Sequence, residues 1–363
     1  MKYCAEFRDP KVAAGFLGII RSLSEKLDKN IFLMEVCGTH TMAIYRQGIR
    51  TLLPDKVGLT SGPGCPVCVT PVEFVDKAVA LARMPDVIVT TFGDMMRVPG
   101  SSTSLLREKA CGADVRIVYS PLDAVSIAEK NPGKRVVFLG VGFETTAPTI
   151  AASILDAGKR EVNNFFVLCA HKTMPQAMSA LTADPDLQID GYLCPAHVST
   201  IIGANAYIPL SAARRIPCVI TGFEPVDILQ GIAMLVRQIT EKEARVDNQY
   251  SRFVRPGGNP QALDILQRVF EPCDARWRGL GVIPGSGLAI REVFARFDIE
   301  KVLNIETEVP HEPAGCRCGE ILMGKIVPSD CPLFGKACTP EEPVGACMVS
   351  SEGVCSAAFK YGD

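Results

Sequence analysis

The sequence predicts an α/β protein made of two similar parallel-sheet domains and a smaller cysteine-rich domain at the carboxyl-terminal end. Three observations support this prediction. Short apolar strands alternate with helical segments along the first two thirds of the chain, parts of that pattern occur twice, and cysteines gather after residue 315. At 363 residues, the chain is also longer than a single hydrophobic core usually supports.

The predicted strands are short runs of β-branched and aromatic residues, namely Ile31–Val36, Val87–Thr91, Val115–Tyr119, Val136–Leu139, Phe165–Leu168 and Cys218–Thr221. Each is followed by a turn with Gly or Pro and then by a segment of helical periodicity, of which Glu73–Ala82 and Thr149–Ala157 are examples. Strands separated by helices form βαβ units and parallel sheets. We therefore expect function in the loops that follow the carboxyl ends of the strands.

Three segments of the amino-terminal part resemble later segments in the same order along the chain. The similar pairs are Phe32–Ile44 with Phe165–Ala177, Gly62–Thr70 with Asp190–Thr200, and Val87–Met95 with Cys218–Val226. This order suggests a duplicated α/β unit, and chance similarity between strand–loop segments is the alternative. We therefore expect α/β domains over 1–130 and 131–245, with the chain free to cross between these halves, and a third domain over 246–363.

Composition argues against several classes of protein. The 38 basic and 40 acidic side chains leave a net charge of −2, which gives no support to nucleic-acid binding. The longest apolar runs, such as Val136–Val141, are too short to span a membrane, and the amino-terminal segment lacks the apolar stretch of a secretion signal. We expect a cytoplasmic protein, in which 15 cysteines indicate thiol or metal chemistry and not a disulfide framework.

The final segment, 316–363, carries six cysteines, namely Cys316, Cys318, Cys331, Cys338, Cys347 and Cys355. So many thiols with only His311 nearby favour an all-sulfur site, which suits an iron–sulfur cluster or zinc. Because the segment lacks the paired CxxC motifs of zinc ribbons, we predict an iron–sulfur cluster. Zinc and plain buried thiols are the alternatives, and two of the six thiols exceed the four ligands needed.

A second group of thiols lies near the start of the chain. Cys37 begins a CGTH motif that ends at His40, and Cys65 and Cys68 form a CxxC motif after a Gly-Pro-Gly turn. A CxxC motif brings two sulfurs close enough to form a disulfide or to chelate one metal, and a buried structural pair is the alternative. We expect an exposed site in which these three thiols bind metal or act in redox chemistry. His40 could bind metal, donate a proton or cap a helix.

Other polar residues follow strands, and we expect them to line one shared cleft, with helix capping as the alternative for each. They are Asp94, Glu144, His171, His197 and Glu224. The remaining cysteines of interest are most simply core or surface thiols, namely Cys4, Cys111, Cys218 and Cys273. The sequence has no phosphate-binding GxxxxGK[ST] motif and no complete dinucleotide-binding fingerprint.

Long motifs spread over residues 35–361 resemble the HypD family of hydrogenase-maturation proteins. They are MEVCGTHTMAIYRQGI, SGPGCPVCVTP, TFGDMMRVPGS, GFETTAPT, CPAHVSTIIG, TGFEPVDIL and CPLFGKACTPEEPVGACMVSSEGVCSAAFKY. The resemblance implies a scaffold on which the Fe(CN)2CO group of [NiFe]-hydrogenases is assembled. It also implies a small HypC-type chaperone as partner, a HypE-type partner that donates cyanide, and a third domain that holds a [4Fe-4S] cluster.

The resemblance also implies roles for individual thiols. Cys37 would be the iron-binding thiolate, and Cys65 and Cys68 the redox-active pair. The cluster ligands would be Cys331, Cys338 and Cys355, with Cys316 or Cys318 as the fourth and Cys347 as the less favoured one. A rival interpretation is a thiol–disulfide oxidoreductase that uses the cluster to reduce a partner protein, and a third is a zinc-stabilised interaction protein. We expect a monomer within a heteromeric complex.

Overall fold

The computed structural model describes residues 5–362, so Cys4 lies outside the described residues. The strands are β1 Ile31–Glu35, β2 Val57–Ser61, β3 Val87–Thr91, β4 Val115–Ile117, β5 Arg135–Gly140, β6 Phe165–Cys169, β7 Gly191–Pro195, β8 Cys218–Thr221, β9 Val246–Asn248, β10 Phe270–Trp277 and β11 Gly281–Ile290. The helices of the first half are α1 Pro10–Ser24, α2 Gly38–Arg46, α3 Ile49–Leu52, α4 Pro66–Val69, α5 Val72–Ala82, α6 Leu105–Ala110, α7 Pro121–Lys130 and α8 Ala147–Lys159. The later helices are α9 Met174–Ala183, α10 Ala196–Ile202, α11 Ile208–Arg214, α12 Pro225–Thr240, α13 Pro260–Val269, α14 Ile299–Val302, α15 Cys318–Leu322 and α16 Val354–Tyr361.

Two parallel sheets confirm the predicted fold class. The first sheet has the strand order β2-β1-β7-β8-β9, and the second has the order β4-β3-β5-β6. Every neighbouring pair in both sheets is parallel. All six predicted strands are present within two residues of their expected ends, and α5 and α8 cover the two predicted helical segments. Strands of this kind are buried on both faces, as β3 is along its whole length.

The chain builds the two sheets in an interrupted order. It forms β1 and β2 of the first sheet, leaves to form β3 to β6 of the second sheet, and then returns to add β7, β8 and β9 to the first. The ranges 1–130 and 131–245 therefore each contribute strands to both sheets. The similar sequence segments are also divided, because β1 and β8 lie in the first sheet while their counterparts β6 and β3 lie in the second.

An antiparallel hairpin follows the parallel sheets and packs against the second of them. It is formed by β10 and β11, and its register shifts between Cys273 and Ala275. The N–H of Thr173 donates to the carbonyl of Ser286 at 2.8 Å, which ties the loop after β6 to the hairpin. The sequence did not predict this hairpin, nor strands β2, β7 and β9, all of which have glycine, proline or polar residues within or beside them.

The register of the first sheet aligns the carboxyl ends of four strands at one edge. Glu35 pairs with Ser61 of β2 and with Leu193 of β7, and Pro195 pairs with Thr221 of β8. The loops that follow these strands therefore lie side by side, and they include the CGTH motif and the CxxC motif. The fold thus positions these two motifs as neighbours, although 28 residues separate their first cysteines.

The carboxyl-terminal segment is part of the main hydrophobic core. One continuous cluster of buried side chains includes Met34 of β1, Val89 of β3, Cys68 of the CxxC motif and Cys347 of the tail. Helix α16 packs against α2, which begins directly after Cys37. Within residues 5–362, we find no helix that combines the length and the apolar character needed to cross a membrane.

Candidate thiol and metal centre

Cys37 lies at the amino-terminal end of α2, where the helix directs main-chain N–H groups towards its sulfur. It is the residue that precedes the helix, in extended conformation, and its thiol makes no hydrogen bond at the helix start. The N–H groups of Thr39 and His40 are nevertheless near enough to favour its thiolate form. Burial raises the pKa of Cys37 to about 12, and these two N–H groups oppose that shift. The thiol therefore keeps its proton in the metal-free protein, and a bound metal ion would displace it.

Cys37 is buried, with an exposed fraction of 7%, whereas we predicted an exposed site. Two segments cover it, namely the CxxC loop with Gly64 and the tail turn with Glu352. Gly64, directly before the CxxC motif, lies so close that a Cβ atom there would overlap the main chain of Cys37. The N–H of Gly38 donates to the carbonyl of Gly64 at 3.0 Å. The CGTH and CxxC loops are thus joined through their main chains.

The buried carboxyl group of Glu35 makes a hydrogen bond with the main chain of Cys37. Oε2 of Glu35 accepts the N–H of Cys37 at 3.3 Å, and Oε1 accepts the hydroxyl of Thr41 at 2.7 Å. Burial raises the pKa of Glu35 to about 7, although hydrogen bonds from Ser61 and Thr41 lower it. Glu35 therefore holds the main chain at the position where the strand becomes the CGTH loop.

His40 is completely enclosed and makes its hydrogen bonds away from Cys37. Its Nε2 lies 3.1 Å from the carbonyl of Thr221 and 3.0 Å from that of Gly222. Because both partners are acceptors, Nε2 carries the hydrogen, and Nδ1 is a buried acceptor with no hydrogen-bond partner. Burial lowers the pKa of His40 to about 4, so the ring is neutral at pH 7. Only Nδ1 is available for a further contact.

The two sulfurs of the CxxC motif are in direct contact. Cys65 Sγ lies 2.6 Å from Cys68 Sγ and accepts the N–H of Cys68 at 3.3 Å. Both side chains are buried, and burial raises the pKa of Cys68 well above its usual value. The pair is positioned for conversion between a dithiol and a disulfide with little movement of the main chain.

The tail thiols reach the CxxC motif through Cys347. This thiol lies near enough to the thiols of Cys318, Cys355 and Cys68 to interact with each of them. Cys68 Sγ also lies 3.8 Å from the carbonyl of the neighbouring Ala346. The CxxC pair and these tail thiols, which the sequence suggested as separate places, therefore lie next to each other inside the protein.

The remaining tail thiols lie in the same part of the protein. The sulfurs of Cys316 and Cys318 both border Gly345, Cys331 is buried, and Cys338 Sγ accepts the N–H of Val344 at 3.4 Å. Among residues 5–362, no three His, Cys, Asp or Glu side chains are arranged as ligands of a single metal ion. A [4Fe-4S] cluster requires four thiolates around a cluster and not around one ion, and the chemistry of this donor set fits it. The N–H···S contact to Cys338 is of the kind that tunes such clusters.

The carboxyl-terminal edges of the two sheets and the tail enclose a cavity of about 250 Å³. The CxxC loop lines one side with Cys65, and the loop after β3 lines another with Asp94. Thr146, which follows β5, and Glu352 of the tail complete the lining. Of the five polar residues that we expected to share one cleft, Asp94 lines this cavity and the other four do not.

The other predicted polar residues are distributed over separate contacts. His197 packs its ring against Phe223 with centroids 4.3 Å apart, and the same phenyl ring contacts His40 at 4.7 Å. Glu224 forms an ion pair with Arg8 at 2.5 Å. His171 Nδ1 lies 3.1 Å from the sulfur of Cys169 at the edge of the second sheet. His197 thus lies beside the CGTH loop, whereas His171 belongs to a different group of contacts.

Glu144 is buried with one carboxylate oxygen bonded and the other without a partner. Oε1 accepts the N–H of Met174 at 3.0 Å, and Oε2 has no hydrogen-bond partner. Burial raises the pKa of Glu144 from 4.5 to about 7, and the hydrogen bond from Met174 opposes this shift. The folded protein therefore binds this proton more tightly than the unfolded chain does.

The raised pKa of Glu144 predicts a loss of stability as the pH increases. Its contribution is fully present below pH 4.5 and is lost as the pH rises towards 7, because over that interval the unfolded chain releases this proton while the folded protein keeps it. Over that interval, we expect the unfolding free energy of Glu144→Gln to fall by roughly 3 kcal/mol less than that of the wild-type protein. Urea unfolding at several pH values, followed by the fluorescence of Trp277, would measure it. An exposed control, Glu341→Gln, should keep the original dependence, and an unchanged slope in Glu144→Gln would contradict the prediction.

The structure shows two residues of the site that the sequence did not single out. Glu35 is the last residue of β1 and lies inside the predicted strand Ile31–Val36, and a charged residue inside an apolar run is the signal that could have found it. Glu352 lies in the tail, and its oxygen Oε1 accepts the hydroxyl of Thr39 at 2.6 Å. Its only sequence signal is its place between Cys347 and Cys355.

Comparison with known proteins agrees with the motifs. A sequence model of the HypD family, described as "Hydrogenase formation hypA family", matches residues 11–362. The chain is 48% identical to hydrogenase maturation factor HypD2 of Bradyrhizobium diazoefficiens, over 100% of this chain and 97% of that protein. It is 48% identical to hydrogenase maturation factor HypD of Azotobacter vinelandii, over 100% of this chain and 97% of that protein. It is 45% identical to hydrogenase maturation factor HypD of Escherichia coli K12, over 99% of this chain and 98% of that protein.

The fold and the site define an α/β protein with a buried, cysteine-lined centre at the facing edges of two parallel sheets. Together with the full-length matches, they place the chain more narrowly. This chain belongs to the HypD family of hydrogenase maturation factors. The predicted family is confirmed, and with it a role in hydrogenase maturation.

Proposed function

We propose that this protein is the scaffold on which the Fe(CN)2CO group of [NiFe]-hydrogenase is assembled. The observation that supports this most strongly is the place of Cys37. Its sulfur lies at the start of α2 under two main-chain N–H groups, and its loop is bonded to the CxxC loop. The thiol that we propose as the metal ligand and the thiol pair that we propose as redox-active therefore lie at one edge of one sheet.

The iron ion is the substrate of this assembly, and Cys37 would be its ligand in the chain. A thiolate is a soft ligand that suits an electron-rich ferrous ion with cyanide and carbonyl attached. The N–H groups of Thr39 and His40 would stay directed at the sulfur and moderate its charge. A cysteine of a small HypC-type partner would supply a second thiolate.

The tail would hold a [4Fe-4S] cluster through Cys331, Cys338, Cys355 and either Cys316 or Cys318. Such a cluster supplies electrons one at a time. The chain's own part is the dithiol of Cys65 and Cys68, since their oxidation to a disulfide releases two electrons and two protons and reduction consumes the same number. Contact of Cys347 with both Cys68 and the tail thiols supports an exchange of electrons between the two groups.

The partners follow from the family role and the proposed chemistry. A HypC-type chaperone would bind next to Cys37, and a HypE-type protein would deliver cyanide to the same edge. We propose that the chain is a monomer within such a heteromeric complex in the cytoplasm, with two α/β domains between which the chain crosses and a cysteine-rich domain at the carboxyl-terminal end.

Oxygen-free purification of the chain with its small partner tests the proposal. We expect iron in excess of a [4Fe-4S] cluster, sulfide, broad visible absorption, and infrared bands of iron-bound cyanide and carbonyl. Vibrational spectroscopy beside iron and sulfide analysis of the same sample would measure this. A colourless protein that holds zinc, or one that cannot take up iron when reconstituted, would refute the scaffold function and the cluster together.

A cluster-dependent thiol–disulfide oxidoreductase remains the second candidate. It is favoured by the contact between the CxxC pair and the tail thiols, which does not involve Cys37. That function predicts reduction of a partner's disulfide at an unchanged rate in Cys37→Ala, with no iron-bound cyanide in any sample. The scaffold function predicts infrared bands of iron-bound cyanide and carbonyl in the wild-type protein.

A further inference from the structure

Glu352 connects the cysteine-rich tail to the loop that carries Cys37. Its carboxylate oxygen Oε1 accepts the hydroxyl of Thr39 at 2.6 Å, across 313 residues of sequence. Glu352 lies in a turn, where its own N–H is 3.4 Å from the Ser350 hydroxyl. The same turn separates Cys347 from Cys355. One short stretch of the tail therefore directs two thiols towards the other tail thiols and one carboxylate towards the CGTH loop.

The close approach of this turn depends on the glycine of the CGTH motif. A Cβ atom at position 38 would lie 2.5 Å from the Cβ and 2.8 Å from the carbonyl oxygen of Glu352. No side chain fits between the two segments, so Gly38 allows the tail to rest on the first turn of α2. The packing of α16 against α2 holds the same two segments together farther along the chain.

The residue that Glu352 holds also lies next to Cys37. The main-chain N–H of Thr39 is near enough to the sulfur to favour its thiolate form, while the Thr39 hydroxyl donates to Glu352. The carboxylate is near enough to both Cys37 and His197 to influence them electrostatically, and it lines the cavity beside Cys65. Fixing the Thr39 side chain thereby fixes the direction of an N–H group at the sulfur.

We propose that Glu352 is a positioning residue for the iron site, acting through its hydrogen bond to Thr39 and so linking the geometry of the Cys37 thiolate to the tail turn between Cys347 and Cys355. The inference rests on the proposed scaffold function, in which Cys37 holds the iron. Hydrogen bonds to a metal-bound sulfur orient it and withdraw charge from it, and residues that support a ligand in this way commonly alter metal affinity by about tenfold or more.

The test compares the protein–partner complex with and without this hydrogen bond. We expect Glu352→Ala to retain iron about tenfold more weakly and to shift the cyanide and carbonyl bands to lower frequency, because a sulfur with fewer hydrogen bonds donates more charge to iron. Thr39→Val should produce the same shift, and the double variant should add nothing further. Glu352→Gln keeps an acceptor for Thr39 and should stay close to the wild-type spectrum.

Two controls separate this inference from the scaffold function. Glu341→Ala removes an exposed carboxylate from the same tail and should leave the bands unchanged, and the visible absorption of every variant reports whether the tail remains folded. Wild-type bands in Glu352→Ala, or a Glu352→Gln variant as defective as alanine, would overturn the positioning role alone. A wild-type complex without any such bands would remove the scaffold function, and this inference with it.

Discussion

Replacing Cys37 with alanine is expected to abolish retention of the iron ion while leaving the absorption of the tail cluster intact. Cys37 is the thiol that the proposed scaffold uses as iron ligand, and alanine offers no donor atom at the start of α2. The tail thiols should keep their own contacts in this variant. Within residues 5–362, Cys37 makes no contact with any of them. Iron analysis beside infrared spectroscopy of the partner complex would measure both effects in one sample.

A matched control exists for this experiment. Cys111 is an exposed thiol at the end of α6, so Cys111→Ala should keep full iron content and unchanged bands. If Cys37→Ala still shows infrared bands of iron-bound cyanide and carbonyl, the assignment of the iron ligand is wrong. Loss of the visible absorption in Cys37→Ala would show instead that the two groups of thiols are not independent.

Replacing either thiol of the CxxC motif with serine is expected to reduce hydrogenase maturation to background even when iron still loads. A single remaining thiol cannot form the intramolecular disulfide, and serine matches cysteine closely in size at these buried positions. The direct contact of Cys65 and Cys68, at 2.6 Å between sulfurs, is the reason for expecting an equal loss from either substitution. Hydrogenase activity in cells complemented with each variant would measure it.

Thiol titration separates a redox role from a structural one. The unmodified protein should show a two-electron thiol couple that is absent from Cys65→Ser and Cys68→Ser, while Cys111→Ser keeps it. Normal hydrogenase activity with either CxxC thiol replaced would remove their redox role. Loss of the soluble, folded protein in both variants would instead favour the buried structural pair that the sequence left open.

The sequence predicted the strands whose residues are mainly apolar or β-branched and missed those interrupted by glycine, proline or several polar residues. Strands such as β3, with the sequence VIVTT, are buried on both faces and are recognisable as continuous β-branched runs. β2 and β7 contain glycine or proline and polar positions, and they owe their strand conformation to pairing with β1 on either side. The order of strands within a sheet is a tertiary property, so the return of the chain to the first sheet could not be derived from local patterns.

The candidate site was predictable as a set of thiols but not as an arrangement. Motif spacing singled out Cys37, Cys65 and Cys68, and all lie at one sheet edge. That Cys37 is buried depends on Gly64 and on Glu352, which approach it from elsewhere in the chain. The contact between Cys68 and Cys347 joins positions 279 residues apart, and no local signal reports such a meeting.

The interrupted path of the chain has a consequence for biosynthesis. Leu33 in β1 pairs with Gly191 in β7. The main-chain hydrogen-bonding groups along one side of β1 therefore have no strand partner until β7 has emerged from the ribosome. The turn carrying Glu352 leaves the ribosome long after the CGTH and CxxC loops do. Nascent chains therefore present the CGTH and CxxC thiols uncovered to the cell's oxidants, and the centre can be closed only after the cysteine-rich tail has been made.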